Sequence, residues 1–454
     1  MNNRRDFLRR AAALTAGGLA SRLAPFTALV PAAAGAQAVS DYKALVCVFL
    51  YGGVDGNNLV VPMDSAGYAQ YSAVRPPASN VNLTQAELLQ IQPATGGTPF
   101  GLHPQLTELQ PLFTQGKLAI LANVGPLTQP TTKTNYLTVR PQNLFSHSDQ
   151  QNQWQSSVSA GVSRSGWGGR IADQLQGQNG AGIPVVTSIA GTSLFTAGDN
   201  SSPLAVATNG GLALQGINNS AAATARLAAL NTILGADRDN TYVKAAGDIT
   251  TQALSLSATV NPILSSTSST LTALFNGQNS SIADQLLAVA KLIEARAQTG
   301  ARRQVFFVSL GGFDTHGNQV NVMDTLIGQL SPAMRSFYDA TLQLGIADKV
   351  TTFTLSDFGR TLLPNSNAGT DHAWGNNLFV MGGAVKGGDM YGRYPTLTRA
   401  GPDDADTSGR WIPTLSVEQY GAALARWFGL GDPAIAAVFP NLSRFSTSNL
   451  GFLG

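Results

Sequence analysis

The stretch Ala44-Leu45-Val46-Cys47-Val48-Phe49-Leu50, followed at once by Tyr51-Gly52-Gly53-Val54-Asp55-Gly56-Asn57-Asn58, decides the fold class. Seven consecutive apolar residues read as a strand covered on both faces, the pattern of a central parallel strand. The glycine-rich turn behind it leaves Asp55 just past the strand's carboxyl end. Similar runs recur at 118–121, 185–189, 305–310, 350–355 and 378–381. Helical patterns lie between several of them: 104–115 opens on a proline, 283–296 has helically spaced Leu, Val and Ile, and Ser416 with Gln419 forms a capping box before 420–428. Strand–helix alternation of this kind predicts an α/β fold with a mostly parallel central sheet flanked by helices. Residues from about 190 to 300 differ, being rich in Ala and Ser. The spacing there predicts helices at 221–234 and 242–256, and we read the region as a helical insertion on one domain spanning 37–454, with loop at 263–279.

The chain of 454 residues is long enough to bury its own core. Charged residues make up 12%, about half the ~25% usual for soluble domains, yet the 43% apolar content argues against disorder. One cysteine, Cys47, excludes a disulfide framework and a cysteine-based zinc cluster. A net charge of +2 argues against a nucleic-acid partner. Residues 1–36 begin MNNRRDFLRR, continue rich in Ala, Leu and Gly, and end in small residues at 32–36. This resembles a twin-arginine export signal, with Arg4 and Arg5 as the pair, and implies the Tat machinery and signal peptidase as partners and a periplasmic or secreted destination. Arg22, Pro25 and Pro31 interrupt the apolar stretch, so it does not read as a membrane anchor, and no later segment reads as a span. Residues 1–36 hold five of the 28 basic side chains and one of the 26 acidic ones, so the remainder carries 23 against 25. The positive balance belongs to the leader.

Chemistry concentrates after the strand-like runs. Asp55 follows the first; Asp314 and His316 follow 305–310 in Gly-Gly-Phe-Asp-Thr-His; Asp357 and Arg360 follow 350–355 in Ser-Asp-Phe-Gly-Arg. Sites on open α/β sheets lie at the carboxyl ends of strands, so these acids can converge although far apart in sequence. Carboxylates with neutral imidazoles suit a divalent cation such as zinc, manganese, magnesium or calcium. His147 in Phe-Ser-His-Ser-Asp and His372 in Gly-Thr-Asp-His-Ala-Trp-Gly are further candidates. The plainer readings stand beside these. An Asp in a glycine-rich turn also serves as a hydrogen-bond acceptor for backbone, and Arg360 reads equally as an anion clamp or an ion-pair partner. Asp371 and His372 point to opposite faces of an extended segment, and His103 receives no role.

Taken in order, YGGVDGNN, GLHP, FSHSDQQ, SGWGGR, GGFDTHGNQ, SDFGRT, GTDHAWGN, VMGGAVKGG and RWIPTLSVEQYGAALARWFG resemble the DUF1501 family of exported bacterial proteins, itself similar to the alkaline phosphatase and sulfatase superfamily. The resemblance implies an alkaline-phosphatase-like fold and a metal-dependent hydrolase of phosphate or sulfate esters or similar anionic substrates. The other reading is a non-catalytic cell-envelope protein binding an anionic small molecule or glycan. The resemblance further implies metal ligation by Asp55, Asp314, His316, Asp357 and His372. Ser146 or Ser148 would stand at the nucleophile's position, with a water as the alternative, and His147 or Arg360 would steady the anion. Phe358 departs from the pattern, standing where the superfamily usually carries a histidine. No cysteine lies near Ser146 to supply a formylglycine.

Overall fold

Residues Lys43–Leu50 form strand β1, and every residue from Ala44 onward is buried. The computed structural model describes residues 41–180, 183–209, 211, 220–446 and 449–454; the leader expected over 1–36 lies outside them. The remaining strands in chain order are β2 (Val60–Pro62), β3 (Leu89–Ile91), β4 (Phe100–Leu102), β5 (Leu118–Gly125), β6 (Val186–Ser188), β7 (Leu204–Ala205), β8 (Arg303–Leu310), β9 (Val350–Ser356), β10 (Arg360–Pro364), β11 (Thr370–His372), β12 (Asn376–Gly382), β13 (Met390–Gly392) and β14 (Leu415–Ser416).

β1 lies inside a nine-stranded sheet of order β13-β5-β12-β9-β1-β8-β6-β7, with β14 also pairing with β5. It pairs in parallel with β8, Leu50 opposite Leu310, and with β9, Leu50 opposite Ser356. β6 and β7 continue the parallel pairing on one side, whereas β12 runs antiparallel to both β9 and β5. The sheet is therefore largely parallel, as the buried runs predict. The alternation of a pleated strand divides β1 between two cores. Ala44, Val46, Val48 and Leu50 pack with Leu286, Val289 and Ile293 of the Ser281–Glu294 helix and Met323, Ile327 and Leu330 of the Gln319–Gln343 helix. Leu45, Cys47 and Phe49 face Trp154, Trp167, Tyr420 and Phe428 on the opposite layer. An unbroken apolar run is what two helical layers demand.

Local expectations meet the structure unevenly. The capping box at Ser416 and Gln419 is present and opens the Val417–Phe428 helix. The helix expected at 104–115 is only Gln110–Thr114, with Pro111 in its first turn; the His103 ring accepts from the Gln105 amide and ties the preceding residues into a turn. Between 190 and 300, Ala221–Leu234 is helical and largely exposed, and Thr241–Ser265 runs nine residues past the predicted end at 256. The stretch read as loop at 263–279 contains a 3-10 turn, Thr270–Phe275, because Leu264, Leu271 and Phe275 are buried in the core. The Ser281–Glu294 helix is a buried layer on the sheet. Among the described residues, no helix is long and apolar enough to cross a membrane.

Because β8, β1 and β9 are adjacent and parallel, the loops after them open at the same end of the sheet. The turn after β1 requires glycine. Gly52 has φ +112°, and a Cβ there would stand 2.4 Å from the Asp314 amide nitrogen. Gly97, at φ +88°, has open space where a Cβ would stand, with no other atom within 4 Å. Gly52→Ala is expected to destabilise the protein by about 2–3 kcal/mol and Gly97→Ala by about 1 kcal/mol, compared by urea denaturation midpoints.

Candidate metal centre

Five segments bring the site together. The loop after β8 supplies Asp314 and His316, and β9 ends at Ser356, directly before Asp357. The β10–β11 hairpin sets Arg360 opposite His372. The His147–Ser156 helix presents His147 at its first residue, and the loop before it contributes the Phe145 carbonyl. His147, Asp314 and His372 each offer a ligand atom within 4.8 Å of the others.

The imidazoles are oriented alike. His147 Nδ1 is 2.7 Å from Asp357 Oδ2, His372 Nδ1 is 2.7 Å from the Phe145 carbonyl oxygen, and His316 Nδ1 is 3.0 Å from Asp371 Oδ1. Each of these partners can accept from a ring that carries a proton on Nδ1, and in that tautomer Nε2 is left facing the centre of the cluster. The inward atoms gather around Asp314. Its Oδ1 is 3.1 Å from His372 Nε2 and from His316 Nε2, and its Oδ2 is 3.4 Å from His147 Nε2. His316 Nε2 and His372 Nε2 stand 2.8 Å apart. That contact is a hydrogen bond when one of the two nitrogens carries a proton, and a cation could take that proton's place among the same atoms. Three imidazoles and a carboxylate are a donor set suited to zinc, with the outer partners fixing each ring as metal-site histidines require.

Charge around the cluster is arranged by burial. Asp314 loses solvation, which raises its carboxyl, but the Arg360 guanidinium at 2.9 Å, with His316 and His147, more than compensates and holds it below the usual range. Burial pushes Asp357 up, against hydrogen bonds from Gln151 at 2.7 Å and from His147. Burial likewise lowers His372, favouring the neutral ring, although its bond to the Phe145 carbonyl opposes this. Asp314 and His316 keep 43% and 45% of their side-chain surface, so the cluster opens to solvent. Phe358 forms one wall, its ring centroid 4.5 Å from His372 and 4.8 Å from His147.

Placement of the other candidates differs from expectation. Asp55 does not enter the cluster. It is fully buried, paired with Arg75 at 2.6 Å, and it also accepts from Gln319 Nε2 at 2.6 Å and from the Asn57 amide at 3.1 Å. Arg360 is buried and committed to Asp314, Thr370 and the Gly52 carbonyl, so its guanidinium is an ion-pair partner within the fold. Ser146 donates to Asp149 Oδ2 at 2.6 Å and contacts Ser148 at 3.1 Å, at the start of the helix that carries His147.

Sequence reasoning alone does not single out Arg75, Gln151, Gln319 or a buried asparagine quartet. Asn57 and Asn58 follow β1, while Asn376 and Asn377 begin β12. Asn376 donates to the Val54 and Phe358 carbonyls, Asn377 to Gly56, Asn57 to Arg360, and Asn58 to Val81. The twice-occurring triplet Gly-Asn-Asn, at 56–58 and 375–377, is the signal that could have found the quartet.

The family described as "Protein of unknown function (DUF1501)" matches residues 42–407, which include every residue of the cluster. This chain belongs to the DUF1501 family. No curated protein matches the DUF1501 chain. Among solved structures it is similar to the C-terminal periplasmic domain of EcEptC from Escherichia coli, in complex with zinc, at 10% identity and a TM-score of 0.35 over 89% of this chain and 88% of that one. A TM-score of that size carries no argument about shared fold or activity.

The buried pair and the open cluster call for opposite outcomes on substitution. Arg75→Met strands the Asp55 carboxylate and is expected to cost about 3–5 kcal/mol in chemical denaturation. Asp314→Asn keeps an oxygen for Arg360 and is expected to stay within about 1 kcal/mol of the parent.

Proposed function

We propose that this DUF1501 protein is an exported, metal-dependent hydrolase of phosphate or sulfate esters or similar anionic substrates, on an alkaline-phosphatase-like fold. The supporting observation is the convergence of three Nδ1-anchored imidazoles on one solvent-facing carboxylate. His147, His372 and Asp314 would hold a divalent cation, with His316 as a further donor; zinc suits this nitrogen-rich set, manganese less well, and magnesium or calcium least. Such an ion supplies Lewis acidity toward a phosphoryl or sulfuryl oxygen. Asp357, Asp371 and the Phe145 carbonyl keep the rings aimed, and Arg360 keeps Asp314 ionised. Arg360 is engaged elsewhere and the first turn of the ten-residue His147–Ser156 helix already holds the Asp149 carboxylate, so the anion would be held chiefly by the ion itself, with His147 beside it. Of the three nucleophiles considered, Ser146, Ser148 and a water, the water is favoured: the Asp149 carboxyl beside both serines is held below its ordinary range by hydrogen bonds from Asn143 and Ser146, which makes it a weak base. The Asp55–Arg75 pair argues for a single ion, because the acid expected to serve a metal neutralises an arginine instead.

A second reading, a non-catalytic cell-envelope protein that binds an anionic small molecule or glycan, is favoured by the same engagement of Asp55 and Arg360 inside the fold. Metal content and turnover separate the two. The purified chain is expected to retain about one zinc per chain by atomic emission, and His147→Ala and His372→Ala to lose most of it. Aryl phosphate or sulfate ester hydrolysis should vanish with chelator and return with zinc or manganese; stoichiometric metal without turnover on any ester would favour the binding protein. Export is tested apart from chemistry: replacing Arg4 and Arg5 together by lysine is expected to keep the chain in the cytoplasm in cell fractionation, with its leader uncleaved.

A further inference from the structure

We propose that Gln319 is the positioning residue that keeps the two halves of the cluster in register, and that Asp55 acts on the cluster through it. Asp314 and His316 sit on one segment, Asp371 and His372 on another more than fifty positions later. The side chain of Gln319 joins them. Its Oε1 accepts from the Thr315 hydroxyl at 3.0 Å, between Asp314 and His316, and from the Thr370 hydroxyl, immediately before Asp371. Gln319, Thr315 and Thr370 are all buried, so neither hydroxyl has water as a substitute partner.

The amide can do this in one orientation only. Its Nε2 donates to Asp55 Oδ2 at 2.6 Å, and a carboxylate accepts but does not donate. Asp55, held by Arg75, thereby selects the flip that turns Oε1 toward the threonines. Thr370 passes the order onward, because its hydroxyl also accepts from Arg360 Nε at 3.0 Å and Arg360 holds Asp314 at 2.9 Å. Backbone supports the same junction: the Thr370 amide donates to the Thr315 carbonyl at 3.1 Å, and the Gln319 amide to Ala368 at 2.9 Å. A Cβ on Gly369 would lie 2.2 Å from the His316 carbonyl carbon, so the segments touch along their backbones. The first acid of the sequence pattern thus finds a role as an orienting acceptor.

The test uses zinc competition titration and amide hydrogen exchange on the full chain; only the zinc arm rests on the metal reading above. Gln319→Met and Thr370→Val are expected to weaken zinc binding about 10–100-fold, while Thr370→Ser, which keeps the hydroxyl, retains the parent's affinity. Exchange of the Thr370 amide should quicken about tenfold in Gln319→Met, with the β1 amides unchanged. Parental zinc affinity in both Gln319→Met and Thr370→Val would overturn the proposal, as would an unchanged Thr370 amide. Should Gln319→Met fail to fold, the contrast between Thr370→Val and Thr370→Ser decides. A parent chain that takes up no zinc sinks the metal reading alone, and the exchange arm then upholds or overturns the role of Gln319.

Discussion

Parallel pairing of β1 with β8 on one edge and β9 on the other is the constraint on which the site depends. Three adjacent strands that run the same way must release their chains at one end of the sheet. The segments that carry Asp55, Asp314 and Asp357 therefore start from the same end of the sheet whatever the sequence distance between them. The pairing is stable because β1 has no solvent face: its two sets of alternate side chains feed two separate apolar cores. A charged or polar residue at any position from Ala44 to Leu50 would enter one of these two cores.

What happens beyond the strand ends is decided by polar groups buried in pairs. The Asn quartet donates to carbonyls in the loops at Val54, Val81 and Phe358 and to those of Gly56 and Arg360 beside them, which is how irregular backbone is kept under cover with its acceptors paired. Arg75 and Asp55 add a fully buried ion pair whose remaining donors reach the Thr361 and Leu362 carbonyls. Such a pair is weak evidence for stability, since desolvation opposes attraction, but it orders the groups around it. The rigid floor that results lies beneath a cluster that remains open to solvent. The division is physical: buried polar groups position, and partly exposed ones stay available for a ligand.

Electrostatics sharpens that division. Arg360 neutralises one carboxylate of the cluster from below, where a surface arginine would instead compete for solvent and substrate. Asp357 is buried and touches His147, so its influence on the open cluster passes through the ring it orients. Phe358, where the resemblance to the alkaline phosphatase and sulfatase superfamily implies a histidine, contributes an apolar wall against two of the rings. Among the described residues the outcome is one nitrogen-rich donor group.

By itself the sequence determined the layer architecture. An apolar run with no polar break, repeated and followed by Gly and Asp, has few outcomes other than a buried parallel strand with an acid at its end, and the capping box marked a helix start from two residues alone. It also carried Asp314, His316, Asp357, His147 and His372 as candidates, since acids and imidazoles beside glycines stand out in a chain with so little charge. Its local signals ran out where distant contacts take over: the turn at 103–109 displaced the start of an expected helix, and the burial of Val260 and Leu264 extended another. Only the tertiary structure decided which acids meet. Asp55 and Asp314 look alike as sequence, each a few residues past a strand, but one faces Arg75 and Gln319 in the interior and the other faces three imidazoles at the surface. A side chain's partners come from whichever segments the fold lays against it, and residues far along the chain leave no mark on the local pattern that is read first.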